Sequence, residues 1–192
     1  QAYMLDRVFG DYPNVTSSNT VPTALCLSLG LPHTVIGDVW GVAKPYVTKV
    51  GEGFFPSEMT TQEQEIWRKA GHEYGASTGR PRRIGSLDMK LLVDAVLGTG
   101  TTKVFFAKAD ICPVDNIKII TEYTKDYFCL SEIKEEDLVI ENIAGWPDFK
   151  ENKDNFNIFI KKVDNILMNK INNDVKIVGY GTGPEKDDIV FI

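Results

Sequence analysis

The sequence predicts an α/β fold. Short apolar runs of strand length stand at residues 104–107, 117–123, 175–178 and 189–192. Stretches with helical periodicity stand between them at 60–74, behind Ser86 and at 154–169. Strands alternating with helices, joined by glycine- and proline-rich segments, are the pattern of a sheet covered by helices.

Taken in order, residues 1–60 are rich in Gly, Pro, Ser and Thr and read as loops and short strands. Thr60 and Glu63 have capping-box spacing and open a helix over 60–74, with Ile66, Trp67 and Ala70 on one face. After the loop 75–83, Ser86 reads as a helix N-cap. Leu87, Leu91, Leu92, Ala95 and Val96 stripe the helix behind it, and Gly98 and Gly100 stop it. Residues 104–107 read as a buried strand ending in Lys108-Ala109-Asp110, and 117–123 as a second strand. Residues 130–152 are charged and read as irregular. The helix over 154–169 presents Phe156, Ile160, Val163, Ile166 and Leu167 on one face and a solvated Asn/Lys face opposite. A strand at 175–178, a loop at 179–184 and a last strand at 189–192 complete the chain.

Composition excludes several classes. Over 192 residues, 43% are hydrophobic and 25% charged, an ordinary globular balance. The net charge of −6 argues against nonspecific nucleic-acid binding. No apolar run approaches the roughly 18–20 residues of a membrane span, and no signal peptide is evident at Gln1. Cys26, Cys112 and Cys129 form no CxxC pair and suggest neither a disulfide framework nor a zinc site. They read as small buried hydrophobes in a reducing, cytoplasmic setting.

Four constellations carry candidate chemistry. Loop 75–83, GASTGRPRR, places Arg80, Arg82 and Arg83 within four residues, with Gly75 and Gly79 freeing the backbone around Ser77 and Thr78. Planar guanidinium forks match carboxylate or phosphate oxygens two at a time, so the loop reads as an anion clamp, or as a surface basic loop paired with acidic neighbours. Lys108-Ala109-Asp110 ends a strand, where ligands of α/β sheets gather; a carboxylate there accepts from guanine N1–H and the 2-amino group. Gly181-Thr182-Gly183-Pro184-Glu185-Lys186 is neither a P-loop nor a dinucleotide fingerprint. It reads as a base-walling loop or as a hairpin turn. Residues 14–20, NVTSSNT, offer hydroxyls and amides for a phosphate, or form a turn of Asx and Ser/Thr motifs. His33 and His72 neighbour no evident nucleophile and read as structural.

Together these segments resemble the adenylosuccinate synthetase family. QAYMLDRVFGDYPNVTSSNT is similar to the family's AQGxxLDxxxGTYPxVTSSNT, KPYVTKVGEGFFPSE to KAYxTRVGxGPFPTE, and GHEYGASTGRPRRIGSLD to GxExGxxTGRPRRxGWxD. FFAKAD, Ala144-Gly145-Trp146 and GYGTGPEK follow the TKxD, PGW and STGPDR segments in order. The resemblance implies the C-terminal part of a P-loop-like fold: a mixed sheet with flanking helices and long functional loops, residues 1–192 forming one domain fragment. It implies GTP-dependent ligation of L-aspartate to C6 of a 6-oxopurine nucleotide, with IMP phosphorylated on O6 and the aspartate amine then displacing phosphate. It also implies Mg²⁺ and a homodimer.

Residue by residue, the resemblance implies that Gln1 and Thr16 contact the purine nucleotide, and that Val50 and Arg80 sit against its ribose. Ala76, Ser77, Thr78, Gly79, Arg80 and Arg82 would close on aspartate, Arg82 also reaching GTP. Lys108, Ala109, Asp110, Gly181, Thr182 and Gly183 would hold guanine. The family's glycine-rich GDEGKGK-type segment, with its Asp base and Mg²⁺ ligand, and its His acid match nothing in these residues, so catalysis requires a missing N-terminal half. Ala107, Phe54, Lys49 and Ser86 depart from the family pattern. These departures suggest a divergent branch, such as the short archaeal or bacteriophage enzymes, some of which use dGMP. IMP, dGMP and a noncatalytic nucleotide-binding role therefore stand as alternatives.

Overall fold

The computed structural model describes residues 2–171 and 175–192. In chain order the helices are α1 (Thr23–Leu29), α2 (Thr61–Gly71), α3 (Met89–Thr99) and α4 (Lys153–Lys170). The strands are β1 (Trp40–Ala43), β2 (Tyr46–Lys49), β3 (Arg83–Asp88), β4 (Lys103–Phe106), β5 (Asn116–Tyr123), β6 (Leu138–Ala144), β7 (Lys176–Gly181) and β8 (Ile189–Phe191). They form two four-stranded mixed sheets, ordered β1-β4-β7-β8 and β2-β3-β5-β6. In the first, β1, β4 and β7 run parallel and β8 turns back antiparallel on β7. In the second, β3 and β5 are parallel and are flanked by antiparallel β2 and β6.

One apolar cluster joins the sheets through α4. Phe156, Phe159, Ile160, Val163 and Leu167 are buried on its inner face, and Ile166 is partly so. Phe159 meets the ring of Phe106 edge-on at 5.8 Å, and Trp146 packs 5.2 Å from Phe156 and 5.0 Å from Phe159. Each such side chain contributes roughly 1.5–3 kcal/mol on burial.

Several expectations are corrected. The capping box of α2 forms as expected, Thr60 Oγ1 accepting from Glu63 N–H and Glu63 from Thr60 N–H. The buried face of α2 is Gln64, Trp67 and Gly71, while Ile66 is 47% exposed. Gln64 takes a core position because its amide is bonded, donating to Met59 O and accepting from Ile84 N–H; a satisfied polar group leaves no trace in hydrophobic periodicity. Ser86 is buried within β3 and is not a cap. The strand ladder carries through it to Asp88, whose carboxylate caps α3 by accepting from Leu91 N–H. Gly98 lies inside α3, and Gly100 alone ends it, at φ +66°.

Strand β6 occupies part of the stretch expected to be irregular. It is a mostly exposed edge strand held to β5 by main-chain bonds, with no apolar alternation to reveal it. Strand β7 continues through Gly179, Tyr180 and Gly181, so the expected loop begins only at Thr182. Helix α1 breaks the reading of residues 1–60 as loops and strands; seven residues, five of them apolar, are too few to give a clear amphipathic period. His72 caps the end of α2 instead of lying inside it, at φ 50°. Cys26 and Cys112 are buried, but Cys129 is half-buried, 3.5 Å from Asp11 Oδ1.

Candidate functional site

The centre of the candidate site is a residue that the motif reading passed over. Glu73 follows the end of α2, and its side chain is wholly buried. Its Oε1 accepts from Tyr46 OH at 2.7 Å and from Lys44 and Lys108 Nζ at 2.9 Å each, and Oε2 accepts from Arg82 Nη1 at 2.5 Å. A lone buried carboxylate is strongly unfavourable, and burial alone would raise its pKa. The Tyr46, Lys108 and Lys44 donors outweigh burial and hold it down at about 2. Three cations facing one carboxylate leave the cluster net positive, even with Asp110 counted beside Lys108. Arg82 and Lys108 keep about a third of their side-chain surface exposed, so that charge is open to an anion.

The arginine loop grows from Glu73. Arg82 N–H donates to Glu73 O, and Tyr74 bridges Pro81, making a narrow two-stranded base. At the tip Gly75 N–H donates to Arg80 O and Gly79 N–H to Gly75 O, with Gly79 at φ +63°. Ala76, Ser77, Thr78, Gly79 and Arg80 are exposed there. Arg83 points elsewhere: it forms a two-pronged pair with Glu58 and donates to Gly51 and Gly53 carbonyls, fixing the loop that carries Val50. Of the three arginines, Arg82 is paired with buried Glu73, Arg83 is paired with Glu58 away from that cluster, and Arg80 stands exposed at the tip.

The Lys108–Asp110 turn lies against the same cluster. Lys108 adopts φ 56°, an uncommon conformation for a residue with a Cβ. Its Nζ is held by Gly71 O at 2.5 Å as well as by Glu73. Ala109 is fully buried with both main-chain groups occupied: its N–H donates to Gly181 O, and its carbonyl accepts from Trp146 Nε1 at 2.7 Å. Ala109 joins the turn to β7 and to the buried indole. Lys108 and Asp110 on either side of it are partly exposed. Burial pushes the Asp110 carboxyl above its ordinary value, with its own N–H and the Lys108 charge opposing.

Beyond Gly181, the 181–186 motif is a hairpin turn, Thr182 N–H donating to Asp188 O and Glu185 N–H to Asp188 Oδ2. A Cβ at Gly183 would lie 2.3 Å from the Asp188 carboxylate.

Thr16 stands in a second region, organised by another buried carboxylate. Asp6 accepts main-chain N–H bonds from Val8, Phe9, Thr20 and Val21. Burial would raise its pKa, but these four donors hold it below the ordinary value. They clamp both ends of the 7–20 segment, and Thr16 N–H donates to Leu5 O inside it. A Cβ at Gly53 would meet Asn14 at 2.6 Å, and Lys49 Nζ lies 3.9 Å from Asp11. The loops bearing Thr16 and Val50 are therefore adjacent. Gln1 lies outside the described residues.

Of the residues expected to contact ligands, the fold brings Arg82, Lys108, Asp110, Gly181 and Thr182 into one neighbourhood, and Thr16 and Val50 into another. Missed were Glu73, Lys44, Tyr46 and Asp6. Glu73 and Lys44 stood in quoted motifs, but single acidic and basic residues there carried no sign that they meet. Among the described residues no group of three or more His, Cys, Asp or Glu could hold a metal ion. No helix among them is long and apolar enough to cross a membrane.

The adenylosuccinate synthetase family model matches residues 1–190. The adenylosuccinate synthetase of Thermotoga maritima is 37% identical over 99% of this chain and 46% of its own length, and that of Clostridium novyi is 35% identical over 100% and 47%. The structure of fully ligated adenylosuccinate synthetase from Plasmodium falciparum superposes with a TM-score of 0.85 at 30% identity, covering 99% of this chain and 48% of that one. Succinoaminodeoxyadenylate synthetase of cyanophage S-2L, solved with dGMP and dATP as an energy donor, shares the fold at a TM-score of 0.60 and 18% identity, over 98% and 43%. The chain spans about half the length of the curated relatives it matches. On the match across nearly its whole length, this chain belongs to the adenylosuccinate synthetase family.

Proposed function

We propose that this chain, together with the part of the family fold it does not span, forms a GTP-dependent ligase that joins L-aspartate to C6 of IMP. The observation that carries the reading is the meeting of the arginine loop with the Lys108–Asp110 turn on Glu73, beside the β7–β8 hairpin. In this reading Thr16 and Gln1 contact the purine nucleotide, with Val50 and Arg80 against its ribose. Thr78, Arg80 and Arg82 receive the aspartate carboxylates, with Ala76, Ser77 and Gly79 supplying the backbone path. Lys108 and Asp110 hold the guanine of GTP against Gly181, Thr182 and Gly183.

The reaction moves the GTP γ-phosphoryl to O6, and the aspartate amine then displaces phosphate at C6. These residues contribute binding, orientation and positive charge near the reacting phosphate. The acid and base fall to the other half. In this reading the Mg²⁺ ion that neutralises the phosphates is held mainly by that half as well. The same reading makes the complete enzyme a cytoplasmic homodimer.

The test supplies the completed enzyme with GTP, aspartate and either IMP or dGMP, and follows product by mass. Adenylosuccinate from IMP, with GDP and phosphate, is the expected result. Product from dGMP alone would reassign the substrate, and product from neither would leave a nucleotide-binding role.

A further inference from the structure

We propose that Glu73 is the positioning residue that holds two substrate subsites in register, the aspartate clamp through Arg82 and the guanine pocket through Lys108. The inference rests on the reading above and goes beyond it, because Glu73 touches neither substrate in that scheme. The geometry is specific. The two carboxylate oxygens divide the subsites, Oε2 taking Arg82 and Oε1 taking Lys108, Lys44 and Tyr46. The backbone repeats the link: Glu73 O accepts from Arg82 N–H, while Gly71 O, two residues before, accepts from Lys108 Nζ.

Tyr46 and Lys44 hold the carboxylate from the sheet side, and the Tyr46 ring rests 5.1 Å from Trp67. The carboxylate is thus fixed by the core, and the carboxylate gathers the cations around it. Without that negative charge, Lys44, Lys108 and Arg82 would face one another unscreened, and their side chains would spread into solvent. Arg80 is different. It lies at the exposed tip and is not among the side-chain partners of Glu73.

Steady-state kinetics of Glu73→Gln in the completed enzyme test the proposal. Glutamine keeps the shape and removes the charge. The apparent KM values for aspartate and for GTP should both rise about tenfold or more, with the KM for the purine nucleotide within about twofold of wild type. Tyr46→Phe, which removes one neutral donor to Glu73, should shift the same two constants in the same direction by less; it serves if Glu73→Gln does not fold. Val163→Ala, a buried change in α4 remote from the cluster, provides a destabilised control. If Val163→Ala moves the same two constants, the effect is one of stability and the proposal fails. Arg80→Ala separates the two levels of argument. It should raise the aspartate KM and leave that for GTP unchanged. If it does, and Glu73→Gln leaves the aspartate or the GTP constant unchanged, the register role is wrong. If Arg80→Ala changes nothing, the aspartate reading is wrong first.

Discussion

Two buried carboxylates organise the two halves of the candidate site, and they do it differently. Asp6 accepts four main-chain N–H groups and no cation among its bonds. Glu73 accepts three cationic side chains and a phenol. Asp6 therefore fixes the path of a backbone, the 7–20 segment bearing Thr16. Glu73 fixes the positions of charges that remain partly exposed at its rim. Donors bound to backbone cannot leave without unfolding the loop, whereas Arg82 and Lys108 are long chains that can extend toward a bound anion. One anchor makes a rigid wall, and the other makes an adjustable positive surface.

The comparison is broken most severely at Asp6. Asp6→Ala should orphan four main-chain donors, and denaturant unfolding should show a loss of about 3 kcal/mol or more. In the completed enzyme the milder Asp6→Asn should raise the purine-nucleotide KM with little effect on that for GTP. Equal effects on both would mean that the two anchors are not independent.

A third buried carboxylate sharpens the rule. Asp88 accepts Tyr123 OH at 2.5 Å and Leu91 N–H, with no cation bonded to it. Burial dominates over the Tyr123 and backbone donors, and its pKa rises to about 6. Because the folded state holds this proton more tightly, the fold should lose stability as pH rises from about 4 to about 6, by up to about 3 kcal/mol. Asp88→Asn should flatten that slope. Glu73 has the opposite sign: with a folded value of about 2, its contribution is present above its unfolded value and is lost as pH falls below it. Unfolding curves from about pH 2 to about pH 6 check both signs. An Asp88→Asn profile parallel to wild type would contradict the assignment.

Asp110 tests the rim of the Glu73 region. Wild type should prefer GTP over ATP by roughly 30–150-fold, the value of a charged hydrogen-bond pair of about 2–3 kcal/mol, and Asp110→Asn should relax the preference. Equal use of ATP by wild type would remove the guanine role.

The smallest effect is expected at the loop tip. Gly79→Ala places a Cβ at φ +63° in open space, so it should cost only about 1 kcal/mol. If the adjustable character of this region matters, it should also raise the aspartate KM. A change in Tm with unchanged KM would show that the tip conformation is incidental.

Much of this was legible in the residues. The Thr60–Glu63 box, the α4 stripe and the short strands at 104 and 117 announced themselves because local bonding and amphipathic period act within a few residues. Strand β6 did not, since an edge strand with two wet faces needs no apolar alternation. Ser86 satisfies the capping signal because capping chemistry suits Ser and Asp alike; pairing with β2 and β5 moves the helix start to Asp88.

By itself the sequence determined the α/β class, the family and the identity of the groups able to bind anions. Those follow from residue type and short-range order. Only the tertiary structure decided that Arg83 serves Glu58 and a loop, that Ala109 is a buried link, and that Lys44, Tyr46, Arg82 and Lys108 converge on Glu73. The partners of Glu73 lie 9 to 35 residues away along the chain. A carboxylate is worth burying only when its donors arrive together, and which donors arrive is set by the packing of α2 against the strands.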